Sequence, residues 1–388
     1  MDDKYLQRGV SASKEEVHAA VKDLYHGLYP KAFCKIYPDY MGSDEAWCNV
    51  MSADGSGTKS ILAYLYWRET GDISVWRGIA QDAIVMNLDD LLCVGATDKF
   101  LLTSVINRNK KYIPGEVIAE LISGTQEFIE SMYAAGVHIN LMGGETADLG
   151  DIVRTVTVDA AMTVRMKRSD LVLTQNIKPG QVIVGLASYG KAAYESEYNS
   201  GISSNGLTSA RHDVLSKYYA EKYPETYEQS IEESLVYSGS KKVTDTLTGT
   251  PLNVGQALLS PTRTYAPVIQ KLLREIPDGV KGIINCTGGA HTKVLHYIEG
   301  LRIVKDNLLP IAPIFDLIQS ESGTGWKEMY KVLNCGTRLE VYVDEDDAAT
   351  VLNIAESFAI NAEVIGHVEA SGINEVVLKS AQGSFVYH

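Results

Sequence analysis

The sequence predicts a two-domain protein of the α/β (α+β) class, and three observations support this. The chain has 388 residues, which is long enough for two hydrophobic cores. Strand-type and helix-type patterns of apolar residues alternate in both halves, which argues against a β-sandwich or a helical bundle. A polar segment that ends in Lys-Pro-Gly at 178–180 interrupts these patterns. We therefore expect an N-terminal domain over residues 1–170 and a C-terminal domain over residues 171–388.

Composition narrows the class of protein. Hydrophobic residues make up 45% of the chain and charged residues 22%, which is the balance of a soluble globular protein. The formal net charge of −14 opposes binding to nucleic acid or to an anionic membrane, so neither partner is expected. Five scattered cysteines without a Cys-x-x-Cys pair indicate reduced thiols. Without a signal peptide or an apolar run of membrane length, a cytoplasmic location is expected.

The N-terminal half alternates between helical and strand periodicity. Residues 13–28 place Val17, Val21, Leu24 and Leu28 on one apolar face, which predicts a helix. Residues 114–135 are amphipathic, with a proline suited to the first turn of a helix. The same patterns predict a helix that starts near residue 59, a helix over 75–94, and strands over 46–51, 100–106, 137–142 and 153–164.

The C-terminal half also mixes strands and helices. Residues 218–254 are rich in Tyr, Glu, Ser and Thr with little periodicity, so we interpret them as an inserted surface excursion. Strands are predicted over 182–188, 282–286, 338–343, 362–368 and 374–378, and helices from residues 207, 261 and 347.

The segment VMSADGSGTK at 50–59 is the first candidate site, because an apolar strand meets a glycine-hinged turn there. Gly55 and Gly57 allow backbone amides to approach a ligand, and Thr58 can cap the helix that follows. A helix N-terminus favours negative charge, so Asp54 with a metal and Lys59 could hold a phosphate. The alternative is an ordinary Asp-Gly turn.

Carboxylates elsewhere in the N-terminal half could complete a metal site. Asp82 and Asp90 project from one face of the otherwise apolar helix at 75–94, where a metal or a basic neighbour would satisfy them. The alternative places Asp89 and Asp90 at a solvated helix edge. A second glycine turn after a strand, GGETAD, delivers another carboxylate, as a nucleotide site with a divalent metal would require; its candidate residues are Gly143, Gly144, Glu145 and Thr146.

Loops of the C-terminal half offer further phosphate contacts. The loop NSGISSNG precedes a helix, and its hydroxyls and amides could hold a phosphate or cap that helix; the candidates are Ser203, Ser204, Asn205 and Gly206. Arg263, in LLSPTRTY, could meet a phosphate or pair with an acid. The turn NCTGGAHT contributes Gly288, Gly289 and a histidine, His291, which could carry a proton or simply be hydrogen-bonded.

The order of these motifs resembles the phosphoribosylformylglycinamidine cyclo-ligase family, also called aminoimidazole ribonucleotide synthetase. The matching segments, which run from about Tyr5 to Val368, are SADGSGTK, two aspartates eight residues apart in a helix that ends DDLLCVGA, GGETAD, NSGISSNG, LLSPTRTY, NCTGGAHT, MYKVLNCG and AEVIGHVE. A single glycine turn is a weak signal, but eight segments in the family's order are a specific one.

The resemblance implies a two-domain aminoimidazole ribonucleotide synthetase-like fold in which the N-terminal sheets of two subunits pair in a homodimer. It implies that ATP phosphorylates the amide oxygen of formylglycinamidine ribonucleotide, after which the imidazole ring closes. Carried over by motif, Asp54, Asp82, Asp90 and Glu145 would hold Mg²⁺ against ATP, and Lys59 would neutralise phosphate charge. The glycine turns at 55–58, 143–146, 203–206 and 288–289, together with Arg263, would lie near nucleotide or substrate phosphate.

Departures from the family pattern concern the substrate side. The family usually has histidine at Ser203, asparagine at Asp89, aspartate at Thr103 and glycine at Ala290. Two alternative hypotheses remain: another ATP-using member of the superfamily, such as a small-molecule kinase, a hydrogenase-maturation enzyme or a selenophosphate synthetase, and a non-catalytic nucleotide-binding subunit. The N-terminus lacks the reactive cysteine expected of a selenophosphate synthetase, and the retained charged residues argue against a mere binder.

Overall fold

The structure, a computed structural model, describes residues 6–10 and 19–388. Two mixed sheets flanked by helices form the fold, as the α/β (α+β) class predicts. The first sheet has five strands in the order β1-β2-β5-β3-β4 and lies entirely within residues 36–167. The second has seven strands in the order β12-β11-β8-β10-β6-β9-β7 and lies within residues 182–387.

The first sheet is antiparallel except for one parallel pair, β3 with β4. Its central strand β5 alternates strictly, so that every second side chain from Val156 to Met166 is buried. This two-residue period is what a strand with one covered face requires. The bounds are β1 Ile36–Pro38, β2 Trp47–Gly55, β3 Phe100–Arg108, β4 Ile139–Asp148 and β5 Val156–Lys167.

In the described part of the chain, helices cover one face of this sheet. The helix α2 packs on β2 and β5 and is buried over almost its whole length, and α3 packs against α2. The helix is enclosed on nearly all sides, so the carboxylates that it carries need partners inside the protein. The bounds are α1 Lys59–Thr70, α2 Val75–Leu92 and α3 Gly115–Ala134.

The other face of the first sheet carries exposed apolar side chains. Met51 and Leu101 both lie opposite Thr163, one on each side of β5, and Val105 lies opposite Asp159. Met51 is 62% exposed, Leu101 43% and Val105 36%. We call the surface formed by Met51, Leu101 and Val105 the open face. Contiguous exposed apolar surface of this kind marks an interaction site more often than a free surface.

The second sheet is antiparallel except for the pair β8 and β11. Helix α10 packs against β6, β10 and α7. The strands are β6 Val182–Ala187, β7 Val280–Asn285, β8 Leu301–Lys305, β9 Thr337–Val343, β10 Ala362–Ala370, β11 Glu375–Ser380 and β12 Gly383–Tyr387. The helices are α4 Leu207–Val214, α5 Tyr218–Lys222, α6 Val254–Leu259, α7 Ala266–Glu275, α8 Pro313–Ser322, α9 Trp326–Val332 and α10 Glu345–Ser357.

Several predicted elements differ from the structure. The predicted helix at 13–28 lies partly outside the described residues; in the described part the helix ends at Val21, and Leu24 is exposed. The helix predicted from Pro261 begins at Ala266, because residues 260–265 are irregular and Thr262 and Thr264 bond carboxylates of α2. Three short strands, β1, β8 and β12, were not predicted.

Residues 218–254 are not a loose surface excursion. Tyr219 and Tyr237 are fully buried, and Tyr223 donates a hydrogen bond to Glu69 of α1 at 2.7 Å. Tyr64 of α1 also donates to Glu225 at 2.5 Å. Tyrosines bury a large apolar ring while keeping a polar tip, so this segment covers α1 despite its polar composition. That it is an insertion stays a prediction.

Candidate functional site

The turn after β2 presents Asp54 to solvent. Its Oδ1 accepts a hydrogen bond from the amide of Gly55 at 2.7 Å, and Gly57 has a positive φ of 57°. A Cβ at Gly55 would come 2.1 Å from Asp159 Oδ1, so this close approach requires glycine. Thr58 does not cap α1 through its side chain; its hydroxyl instead shares a 2.8 Å hydrogen bond with that of Thr208 in α4. The turn is thereby tied to the C-terminal half.

Lys59 and Asp82 correct the prediction made for both. Lys59 Nζ donates to Asp82 Oδ1 at 2.8 Å and to the Ser260 carbonyl at 2.6 Å, and neither charged side chain is exposed. Asp82 also accepts from the amide and hydroxyl of Thr262. Burial lowers the pKa of the Lys59 ammonium, and Asp82 opposes that effect. This pair joins the two halves, because Lys59 and Asp82 of the N-terminal half bond Ser260 and Thr262 of the C-terminal half.

Asp89 is likewise enclosed, so the alternative prediction that it lies at a solvated helix edge is wrong for this residue. Its Oδ1 accepts from the Thr264 hydroxyl at 2.6 Å, and its Oδ2 pairs with Arg338 Nη1 at 2.9 Å. Burial raises the pKa of the Asp89 carboxyl to about 6, and Arg338 opposes the rise. With Asp82, this carboxylate fixes residues 262–265 against α2.

Asp90 is the carboxylate of α2 that remains partly open. Its Oδ1 accepts from Asn285 Nδ2 at 2.9 Å. Burial raises the pKa of the Asp90 carboxyl, the nearby ammonium of Lys293 and the Asn285 amide lower it, and the charge of Asp54 raises it further. The charge of Asp54 at the end of β2 thus reaches Asp90 of α2 within the N-terminal half, and Asn285 meets Asp90 from the C-terminal half.

Two glycine turns of the C-terminal half meet at the same junction. Gly206 and Gly289 have positive φ angles of 76° and 91° and stand at the starts of short helices. A Cβ built on Gly288 meets only Asn205 Nδ2, at 4.0 Å, so the turns face each other across open space. Ser203 Oγ and Asn205 Oδ1 are buried without a hydrogen-bond partner. Unpaired polar atoms of this kind suit a polar ligand.

Two of the residues that depart from the family pattern, Ser203 and Ala290, lie in the same turns. Ser203 and Ala290 both have positive φ, 64° and 42°, which is costly for residues other than glycine. Thr103 lies on β3, where its hydroxyl donates to the Gly143 carbonyl at 3.2 Å. Ser204 shares a 3.1 Å hydroxyl hydrogen bond with Thr262.

Arg263 is structural, contrary to the prediction that it supports phosphate binding. Its guanidinium is buried, donates to Glu195 Oε1 at 2.9 Å, and bonds the carbonyls of Ala187, Tyr189 and Gly190. All of its nitrogens are engaged with protein. The side chain therefore anchors the loop after β6.

The GGETAD segment is a strand rather than a turn, so its predicted role also changes. β4 continues through Asp148, with a bulge opposite Thr103 that Gly143 accommodates at φ 109°. Gly144 shares a row of the sheet with Asp54, whereas Glu145 shares the next row with Asp159. Adjacent rows point to opposite faces. Glu145 is therefore exposed on the open-face side and does not join Asp54 and Asp90 within one subunit. Thr146 lies in the following row, with Ile106 and Val158, and so belongs to the helix-covered side of the sheet.

The residues at the junction fit Mg²⁺ as a partner of ATP phosphates rather than as an ion caged by protein. Among the described residues no three His, Cys, Asp or Glu side chains form a metal-binding group. Mg²⁺ commonly uses one or two carboxylates plus phosphate oxygens. Asp54 and Asp90 supply two carboxylates, and Asn285 Oδ1 is a buried oxygen without a hydrogen-bond partner.

Sequence reasoning missed two residues of this site. Asn285 is the last residue of β7, inside the NCTGGAHT motif, so a polar residue at a strand end was the available signal. Lys293 follows Gly289 by four residues, and its Nζ donates to Thr287 Oγ1 at 2.5 Å. Its spacing from the turn was the only cue, because surface lysines are common.

Comparison with known proteins places this arrangement in a family. The profile described as AIR synthase related protein, N-terminal domain, matches residues 39–166, and the corresponding C-terminal domain profile matches residues 178–379. The chain belongs to the AIR synthase related protein family.

Relatives that match over most of the chain share the same name. The phosphoribosylformylglycinamidine cyclo-ligase of Methanocaldococcus jannaschii is 30% identical over 335 residues, which are 85% of this chain and 82% of that protein. The cyclo-ligase of Caldicellulosiruptor saccharolyticus is 29% identical over 335 residues, 85% of this chain and 84% of that protein.

Solved structures share the fold at lower identity. A chain of a HypE–HypF complex is similar with a TM-score of 0.59 and 17% identity, over 97% of this chain and 99% of that chain. Thiamine monophosphate kinase from Aquifex aeolicus has a TM-score of 0.52 and 12% identity, over 94% and 95% of the two chains. At these identities the likeness concerns the fold alone.

Proposed function

We propose that this protein is an ATP-dependent ligase that closes the imidazole ring of formylglycinamidine ribonucleotide, giving aminoimidazole ribonucleotide, ADP and phosphate in purine biosynthesis. The observation that carries the proposal is the meeting of Asp54 and Asp90 with the turns 203–206 and 288–289 at one junction. The named relatives, which match over most of the chain, support the choice of reaction.

The chemistry needs a leaving group. The γ-phosphoryl group of ATP moves to the amide oxygen of the substrate, so that an O–P bond forms, the bond to the β-phosphate oxygen breaks, and ADP leaves. The amidine nitrogen then attacks the activated carbon, the C–O bond to phosphate breaks, and the nitrogen loses a proton. Phosphoryl transfer of this kind depends mainly on positioning and charge stabilisation.

Each group at the junction has a place in that scheme. Asp54, Asp90 and Asn285 would hold Mg²⁺, which when bound neutralises phosphate charge and aligns the phosphates. The amides of Gly55 and Gly57, and those of the turns 203–206 and 288–289, would cradle phosphate oxygens, because their backbones lie open to a ligand. Ser203 Oγ and Asn205 Oδ1, which have no partner in the described structure, would bond the substrate.

We further infer that two copies pair through the open face. The exposed apolar side chains of the open face, Met51, Leu101 and Val105, would be covered in a homodimer. Glu145, which pairs with Val105, would then lie at the interface. The described chain contains no helix with the length and apolarity to cross a bilayer. Its purine precursor and ATP would be met in the cytoplasm.

The test is a substrate-dependent assay. Purified protein with Mg-ATP should release ADP and phosphate only when formylglycinamidine ribonucleotide is present, with aminoimidazole ribonucleotide as product. Formylglycinamide ribonucleotide, which lacks the amidine nitrogen, should give no ring-closed product. Folded protein that shows no turnover, or that phosphorylates thiamine monophosphate instead, would sink the cyclo-ligase proposal.

A further inference from the structure

The ammonium of Lys293 is held over the Gly288–Gly289 turn. Lys293 lies in the 3-10 helix Ala290–His296, one turn beyond Gly289. Its Nζ donates to Thr287 Oγ1 at 2.5 Å and lies 4.7 Å from the centroid of the Phe33 ring. The side chain is half-buried. A hydroxyl on one side and an aromatic face on the other restrict where this flexible side chain can place its charge.

The ammonium is also close enough to Asp90 to favour its charged form, without a direct hydrogen bond to it in the described structure. Thr287 is the one hydrogen-bond acceptor that the described residues give to Lys293. A lysine ammonium has three donors, so two remain for another ligand. The charge therefore stands beside the carboxylate proposed to hold metal, with free donors.

The other cations near the junction are engaged with protein. Lys59 is closed between Asp82 and a carbonyl, and Arg263 bonds Glu195 and three carbonyls. Arg338 pairs with Asp89 through Nη1 only, and its Nε and Nη2 have no hydrogen-bond partner, but the side chain is 1% exposed and therefore enclosed. Lys59 and Arg263 cannot reach a phosphate without abandoning an acid, which would cost several kcal/mol.

We propose that Lys293, in place of Lys59, is the lysine that binds the polyphosphate of ATP in this chain. The inference rests on the proposed function and names the residue that supplies positive charge at its nucleotide site. Thr287 positions the ammonium and the adjoining glycine turn offers amides to the same phosphate, so the donors are set before the nucleotide arrives. Because the ammonium lies near Asp90, which would hold Mg²⁺, it is placed to bind the metal-bound polyphosphate of ATP rather than the single phosphate of the ribonucleotide.

Calorimetric titration tests this without relying on turnover. Lys293→Met should weaken binding of Mg-ADP about tenfold or more, the effect of losing a charged hydrogen bond. Lys293→Arg, which keeps the charge, should recover most of the affinity. Lys271→Met, an exposed lysine on α7, is the matched control and should bind Mg-ADP like the wild type. Should the Met variant fail to fold, Lys293→Gln provides the same comparison.

A second arm separates the two possible phosphates. Ribose 5-phosphate, which carries a single phosphate, should bind the wild type and Lys293→Met equally. The proposal is overturned if Lys293→Met binds Mg-ADP as tightly as the wild type, or if only ribose 5-phosphate binding weakens. Failure of the cyclo-ligase assay by the wild-type protein would overturn the proposed reaction instead, since Mg-ADP binding is measured independently of it.

Discussion

Lys59 Nζ lies 2.8 Å from Asp82 Oδ1, and neither side chain is exposed. The lysine of the SADGSGTK motif therefore points away from its own glycine turn and into the junction of the two halves. Its neighbours are an acid of α2 and the carbonyl of Ser260. The turn keeps its phosphate-binding potential through Asp54 and its amides, while the charge of Lys59 stabilises the fold.

Removing the Lys59 ammonium should therefore unfold the protein more easily. Lys59→Met leaves Asp82 buried without its cation, so the free energy of unfolding should fall by about 3–5 kcal/mol. Urea unfolding followed by circular dichroism measures this. Lys271→Met, at an exposed site, should change the same quantity by less than about 0.5 kcal/mol. A stable Lys59→Met protein with strongly weakened Mg-ADP binding would contradict the structural role.

Neutralising Asp90 should lower catalytic activity and leave the fold intact, in contrast to the change at Lys59. Asp90→Asn keeps the shape and the contact with Asn285 but removes a charge proposed to hold Mg²⁺, so kcat/KM should fall about 100-fold or more. Asp54→Asn should behave in the same way. The circular dichroism spectrum should match the wild type, and the exposed Asp151→Asn is the control. Near wild-type rates in Asp90→Asn would show that the metal assignment is wrong.

Asp89 should make stability depend on pH. The pKa of Asp89 in the folded protein, about 6, lies above its ordinary value of 3.8, so its contribution is fully present below the ordinary pKa and is lost as pH rises through 6. The free energy of unfolding of the wild type, minus that of Asp89→Asn, should therefore decrease by about 2 kcal/mol between pH 4.5 and 7.5. Urea midpoints across that range measure the difference. A difference that grows with pH would mean that Arg338 outweighs burial.

A charge on the open face should separate the proposed dimer. Val105→Asp would bury a carboxylate near its symmetry mate, which an isologous interface cannot tolerate without a large loss of affinity. Sedimentation velocity at micromolar concentration should show a monomer for this variant and a dimer for the wild type. Ile373→Asp alters an apolar residue that is 57% exposed in the C-terminal half and should remain dimeric. A wild-type monomer would refute the pairing.

The sequence predicted the class of fold and most long elements because their signals are local. The buried alternation of β5 and the amphipathic α3 can be read from side-chain periodicity alone. Short edge strands such as β1 and β12 have too few residues to show a period. The helix predicted from residue 261 starts later because the irregular backbone of residues 260–265 is held by Asp82 and Asp89, which are distant in sequence.

The sequence predicted which motifs form the site, but it did not predict the direction in which each side chain points. Asp54, Asp90 and the turns 203–206 and 288–289 come together, as the order of motifs suggested, although their roles stay predictions. A motif cannot say which way a side chain faces: one residue along β4 separates the face of Gly144 from that of Glu145. Similarly, nothing local distinguishes the enclosed Lys59 from the half-open Lys293.

The carboxylates of α2 have a consequence for how the molecule can be divided. Among residues 6–10 and 19–388, Asp89 pairs with a cation on β9 and accepts from the hydroxyl of Thr264, and Lys59 bonds Ser260. Expressed alone, the first half would leave the Asp89 carboxylate without its cation, and the second half would leave the Arg338 guanidinium without its acid. Two fragments cut near residue 175 should therefore be poorly folded separately and assemble when mixed. The chain could tolerate a break, but neither half could be exchanged with that of a relative unless the partner charges travelled with it.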